Sequence, residues 1–260
     1  MTGSTVIRRL VSAAAIVSMV GVGAACNSRD SDGGTGPEQT TATDATPTTT
    51  SPTAEATPFT GFLETVDGTK GIVTYKAELP QLKGGATAVR DKFNASVHAA
   101  LDDYLKPTED NLPVTVAPGA LPEEERSRVS HIGSGVVAGV LLLNIYVEHA
   151  AHPFNTVSTT VIDAHTAAPV MITDLFADQK AGLDTVVQAI KAEMAGEDKL
   201  ADQAPPEPVA DQLANWLPDN DGLVFYLPVA HVLGDYYPVT VEWDAIAGVL
   251  APGVREKLTQ

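Results

Sequence analysis

The chain has 260 residues, a formal net charge of −17 and 44% hydrophobic residues. That apolar fraction supports a packed core and excludes wholesale disorder. The negative charge argues against nucleic-acid binding, whose affinity comes from Lys and Arg meeting phosphates, and Cys26, the lone cysteine, excludes a fold stapled by internal disulfides.

The amino terminus reads as an export signal. Arg8 and Arg9 form a positive region, Leu10 to Gly23 is an Ala/Val-rich apolar stretch, and Ala24 and Ala25 precede Cys26. The apolar stretch is short for a membrane span and suits a cleaved signal peptide over residues 1–25. A cysteine directly after small residues resembles the bacterial lipobox, in which the thiol receives a diacylglycerol. Gly23 stands where that motif usually has an aliphatic residue. The expectation is a protein lipid-anchored at Cys26 on the outer face of the cell membrane, touching the membrane only through that anchor. Without residues 1–25 the chain carries 14 basic against 33 acidic residues.

Residues 27–58 contain ten Thr and four Pro, and no Val, Ile, Leu or aromatic residue. Nothing there can be buried, so residues 26–58 are expected to form a disordered stalk behind the lipidated cysteine. Such composition also suits O-glycosylation.

Apolar periodicity begins at Phe59. Gly71 to Leu79 reads as a strand. Ala86 to Leu105 reads as a helix, because Val89, Phe93, Val97, Leu101, Tyr104 and Leu105 recur at steps of three and four, and Lys106-Pro107 stops it. A polar, Pro-rich loop runs to about Glu125. Val129 to Val137 and Val140 to Glu148 read as paired strands, followed by a strand over Thr156 to Asp163 and a short one over Pro169 to Ile172. Leu183 to Met194 reads as a helix with Val186, Val187, Ile190 and Met194 inward. Leu213, Trp216 and Leu217 form an apolar knot, Gly222–Leu227 and Pro238–Trp243 read as strands, and Asp244–Leu250 as a helical turn. The pattern predicts a single α+β domain over 59–260, mostly antiparallel sheet with flanking helices.

Several short runs have the look of sites. His149 and His152 are three apart, whereas zinc hydrolases place histidines at i and i+4 on a helix. Here they precede Pro153, so a turn is expected and no metal. Gly133-Ser134-Gly135 falls in an expected strand and not in a nucleophile elbow. Asp219-Asn220-Asp221-Gly222 lacks the remaining ligands of a calcium loop and reads as a β-turn. His152, His231, Tyr236 and Tyr237 are the candidate binding residues. No catalytic set and no cofactor site is legible.

Asn144-Ile-Tyr-Val-Glu148, Ala150-Ala-His152-Pro153, Val157–Asp163 and Val170-Met-Ile-Thr-Asp174-Leu-Phe176 resemble the RsiV-type extracytoplasmic domain family. Gly222–Leu227, His231, Gly234 and Val239–Trp243 resemble its closing strand, loop and strand, and Tyr75–Pro80 with the Phe93-Asn94 helix its preceding segment. The resemblance implies an outward-facing α+β module that binds a ligand or protein without catalysis. In anti-sigma factors that module senses lysozyme. The partner it implies is a cationic envelope protein such as a lysozyme-like hydrolase. An envelope hydrolase with a Ser/His/Asp arrangement stands as the alternative.

Overall fold

The computed structural model describes residues 57–260. The expected signal peptide, Cys26 and nearly all of the expected stalk lie outside the described residues.

Thr60–Lys70 (β1) and Val73–Lys83 (β2) form an antiparallel hairpin paired over its whole length, turning at Gly71 with φ 62°. Glycine takes that left-handed conformation without a Cβ clash. The sequence reading did not single out β1 as a strand; its residues are half-buried or exposed and largely polar. Thr87–Tyr104 (α1) buries Val89, Phe93, Val97 and Leu101, one residue per turn. Asn94 fixes its docking by accepting from the Leu82 N–H (2.8 Å) and donating to the Leu82 carbonyl (3.0 Å).

Val114–Pro118 (β3), Arg128–Ile132 (β4), Val136–Val147 (β5) and Phe154–Asp163 (β6) complete a six-stranded sheet in which β5 is central. The β6 strand pairs along one edge of β5. The other edge is shared by β3, opposite Leu143–Val147, and by β4, opposite Val137–Val140. Every pairing is antiparallel except β2 with β3.

The apolar run of β5 is buried on both faces. Val137, Leu141, Leu143 and Ile145 pack with α1, whereas Val136, Ala138, Val140 and Leu142 face a second layer. Each such Val or Leu contributes about 1.5–3 kcal/mol through burial. The second layer holds Gln179–Gly196 (α2) and an antiparallel sheet of Trp216–Pro218 (β7), Gly222–Pro228 (β8) and Tyr236–Glu242 (β9), followed by Trp243–Ile246 (α3) and Val254–Thr259 (α4). Asp178 caps α2 by accepting from the Ala181 N–H at 2.8 Å. The fold is α+β, rich in antiparallel sheet, with few helices. Among the described residues no helix is long and apolar enough to cross a membrane.

Two strand boundaries differ from expectation. The β4–β5 turn is Gly133-Ser134-Gly135, not the neighbourhood of Gly139. Gly139 sits mid-strand because Phe93 packs over it, 2.8 Å from where a Cβ would stand. Gly133 and Gly135 serve the end of the chain: a Cβ on either would collide with the backbone of Gln260 or Lys257 in and after α4. Pro169 to Ile172 is not a strand. Pro169 makes one bridge to Ile162, and Ile172–Leu175 is a 3-10 turn whose Met171 N–H donates to Asp174 at 2.8 Å. The Asp174-Leu-Phe176 run is therefore a cap followed by two core residues, Leu175 and Phe176.

Candidate functional site

Between β3 and β4 the chain leaves the β5 edge over residues 119–127. The Gly119 N–H donates to the Leu142 carbonyl at 3.0 Å. At the return, the buried Ser127 hydroxyl accepts from the Leu142 N–H (2.9 Å) and donates to its carbonyl (3.2 Å), standing in for a ladder residue. The excursion so released lies against the β8–β9 sheet. A Cβ on Gly234 would press on Pro122.

A shallow groove of about 400 Å3 opens between them, lined by Pro122, Glu123, Glu125, Arg128, Val224, Tyr237 and Pro238. Its polar anchor is Glu125, whose Oε1 accepts from the Tyr226 hydroxyl and from Arg128 Nη1, both at 2.6 Å. Burial, then the Glu125 carboxylate, push the Tyr226 hydroxyl well above the ordinary phenol range, so it stays a neutral donor. Burial opposes the Arg128 charge, but Glu125 and Tyr226 outweigh it and raise its pKa. On the rim, burial and then Glu197 and Glu123 raise the Tyr237 pKa. The groove thus presents one ring and two prolines among carboxylates.

Beside it lies the end of the β5–β6 hairpin. His152, in the turn after β5, stacks on His231, in the 3-10 turn His231–Leu233 between β8 and β9, with ring centroids 3.7 Å apart and planes 10° off parallel. His152 Nδ1 lies 2.9 Å from the Pro153 carbonyl and His231 Nδ1 2.8 Å from Asp235 Oδ1. The other carboxylate oxygen of Asp235 accepts from the Asn155 N–H at 2.7 Å, and Asn155 Nδ2 donates to the Gly234 carbonyl at 3.2 Å. A third contact joins Asn155 to Asn144 at 3.1 Å. Three loops therefore meet here, and four non-glycine residues in them, Glu123, Glu124, His149 and Asp235, have φ between 61° and 73°. Strain of that kind persists only where surrounding bonds over-determine it.

Of the four candidate binding residues, the structure brings His152 and His231 into contact. Tyr236 and Tyr237 are adjacent in a strand and point to opposite faces. Tyr237 enters the groove. Tyr236 sits beside Asp235 and Tyr104, and burial pushes its hydroxyl up to about 12. The parallel planes of His152 and His231 do not converge on a common point. Among the described residues no three His, Cys, Asp or Glu side chains gather as metal ligands would.

The structure divides the groups of the Ser/His/Asp alternative between two ends of the fold: His131 and Asp163 lie at the Ser134 end, His152, His231 and Asp235 at the other. Ser134 and His152 lie at opposite ends of the β5–β6 hairpin, and the ladder from Val136↔Asp163 to Ile145↔Phe154 alone spans roughly 30 Å at about 3.3 Å per residue. The Ser134 N–H donates to the Gln260 carbonyl at 2.6 Å. The nearer His131 has a buried Nε2 without a hydrogen-bond partner, so no bond joins it to Ser134. Burial lowers the His131 pKa, and Asp219 only partly opposes that. Asp219-Asn220-Asp221-Gly222 is the β7–β8 turn: the Asp219 N–H donates to the Gly222 carbonyl at 2.9 Å, and Trp243 Nε1 donates to the carbonyls of Asp219 (3.2 Å) and Asn220 (3.1 Å).

Glu125 and Arg128 escaped the sequence reading. Glu125 and Arg128 sit three apart at the end of a run that reads as a polar loop, and Tyr226 lies 101 residues further on. Only the fold joins them.

No protein-family model matches the chain, and no curated protein matches it. Solved structures of one fold class do. A DUF3298 family protein from Pseudomonas aeruginosa is 12% identical, with a TM-score of 0.51 over 76% of this chain and 95% of that one. A DUF3298 family member from Bacteroides fragilis is 13% identical, with a TM-score of 0.52 over 79% of this chain and 98% of that one. At such identities the likeness is one of fold. DUF3298 proteins are related to the RsiV-type extracytoplasmic domains, so the sequence signatures and the solved neighbours point to the same architecture.

Proposed function

We propose that the chain is an exported lipoprotein, held at the membrane through Cys26, whose folded part is a non-catalytic docking module for a cationic protein of the cell envelope. The observation that carries the docking reading is the groove between the 119–127 excursion and the β8–β9 sheet, where Tyr237, Pro122 and Pro238 lie among Glu123, Glu125 and Glu197. Apolar surface ringed by carboxylates suits a lysine or arginine stem, which lays its methylenes on the ring and its charge among the acids. Arg128 is already neutralised by Glu125 and does not repel such a guest. The resemblance to lysozyme-sensing domains supplies the partner class, and the signal-like amino terminus supplies the anchor.

Titration of the full chain with purified lysozyme tests the docking reading. Affinity should fall at least fivefold between about 50 and 300 mM salt, since the Debye length shrinks from near 14 Å to near 6 Å. Tyr237→Ala, which leaves charge unchanged, should weaken it about tenfold. If only net charge matters and Tyr237→Ala binds like the parent, docking at the groove is wrong. The anchor is checked separately: Cys26→Ala should move the protein from the membrane to the soluble fraction, and a variant that stays membrane-bound removes the lipid anchor.

A further inference from the structure

The stacked histidines lie outside the groove and are not needed for it to exist. We propose that the His152–His231 stack is an acid-sensitive clasp, closing the β5–β6 turn onto the β8–β9 turn at neutral pH and releasing it when both rings are protonated. As regulation of the docking edge it rests on the reading above. As a property of the fold it stands by itself.

The bonding fixes where protons can go. A carbonyl and a carboxylate can only accept, so the Nδ1 atoms of His152 and His231, facing the Pro153 carbonyl and Asp235, both carry hydrogen. Each Nε2 is then the site for an added proton. The first proton is tolerated: added at His231 Nε2, it leaves an imidazolium whose Nδ1–H still faces Asp235 at 2.8 Å, and a cation over a neutral ring is attractive. The second has no such place. On His152 it sets like charges face to face 3.7 Å apart, with Asp235 already taken. The other charged groups on the packed segments are Glu148 and His149 in the His152 turn, Glu123, Glu124, Arg126 and the Glu125–Arg128 pair in the excursion that meets Gly234 through Pro122, and Lys199 and Asp202 beside Gln203, whose Oε1 accepts from the Ala230 N–H. Neither turn, 148–153 or 228–235, holds a Lys or Arg. Tyr236 is held neutral by burial. Since Asp235 also holds the Asn155 N–H, and Gly234 touches both Asn155 and Pro122, loss of the stack loosens the joint next to the groove. Val232, 89% exposed between the two halves of this turn, offers no apolar contact to keep it closed.

Hydrogen–deuterium exchange on the full chain, corrected for intrinsic rates, tests this without any partner, so its failure and the failure of the docking reading are distinguishable. Between about pH 7.5 and 5.0, the window in which imidazoles as a class take up protons, protection of segments 148–156 and 228–236 should fall at least threefold. Segment 133–136, at the far end of the hairpin, should not change. His152→Phe keeps a ring to stack and cannot take a proton, so it should stay protected at both pH values. His152→Gln cannot stack and should be unprotected at both, which decides the matter if the Phe variant does not fold. Protection that ignores pH in the parent chain overturns the clasp. So does a pH response that survives in His152→Phe or, where that variant does not fold, in His152→Gln, because it would then belong to the carboxylates.

Discussion

The two ends of the β5–β6 hairpin use the same acceptor in different ways. At the end near the β4–β5 turn, Asp163 is 12% exposed, receives the His165 and Thr166 N–H groups at 2.8 and 2.7 Å, and pairs with Lys257. At the other end Asp235 is 14% exposed, receives the Asn155 N–H, and pairs with His231. Burial is alike, backbone N–H groups donate to both, two at Asp163 and one at Asp235, and the partner cation differs. Lysine stays charged to high pH, so the first end is a fixed anchor for α4. Histidine is charged only in acid, so the second is a joint whose strength depends on pH. Function is sought at the second end because nothing closes it permanently.

The anchored end breaks most readily at a glycine. Gly135→Val would drive a side chain into the Lys257 backbone, which is main chain and cannot swing aside. It should cost about 3 kcal/mol or more, as overpacking with backbone displacement does, read as a fall in the urea midpoint.

Next comes the anchor carboxylate. Burial pushes the Asp163 carboxyl up, but Lys257 and the Thr166 and His165 N–H groups outweigh it and hold the group well below the usual carboxylate range. A depressed folded pKa stabilises above the unfolded value, near 4, and that contribution fades as pH falls from there through the folded value. Asp163→Asn should therefore cost about 2 kcal/mol at neutral pH, with the gap to the parent narrowing progressively below pH 4. A gap that is constant from pH 7 to 3 would mean that the charge does not matter.

The joint gives the smallest effect. Asp235→Ala loses the His231 and Asn155 bonds and places alanine at φ 73°, for about 1–2 kcal/mol. Asp235→Asn tolerates the left-handed backbone and keeps an acceptor, and should cost about 0.5 kcal/mol. Equal losses in the two variants, measured by thermal or urea unfolding, would deny that the Asp235 backbone and bonds set the joint.

Much of the fold was legible in the sequence. The stepped apolar residues of α1 and α2 announced helices, the apolar run over Val140 to Glu148 announced a strand, and turn residues marked the β7–β8 connection, because these signals are local and repeat at the period of the element. The β4–β5 boundary was not, since a glycine that turns the chain and a glycine that makes room for Phe93 look the same in a sequence. At the site, the sequence singled out His152, His231, Tyr236 and Tyr237 as residue types able to bind, and it offered Ser134 to an alternative that needed neighbours.

Which of them meet was decided by the tertiary structure alone. The register of β5 with β6 sends Ser134 and His152 to opposite ends of a long hairpin, and strand alternation parts Tyr236 from Tyr237. The β8–β9 turn brings His231 onto His152, 79 residues away in the chain, and the excursion brings Glu125 under Tyr226. Sequence determines what a side chain can do, through its local chemistry and period. Contacts between distant segments depend on register, edge and crossing, which are set by the packing of the whole domain.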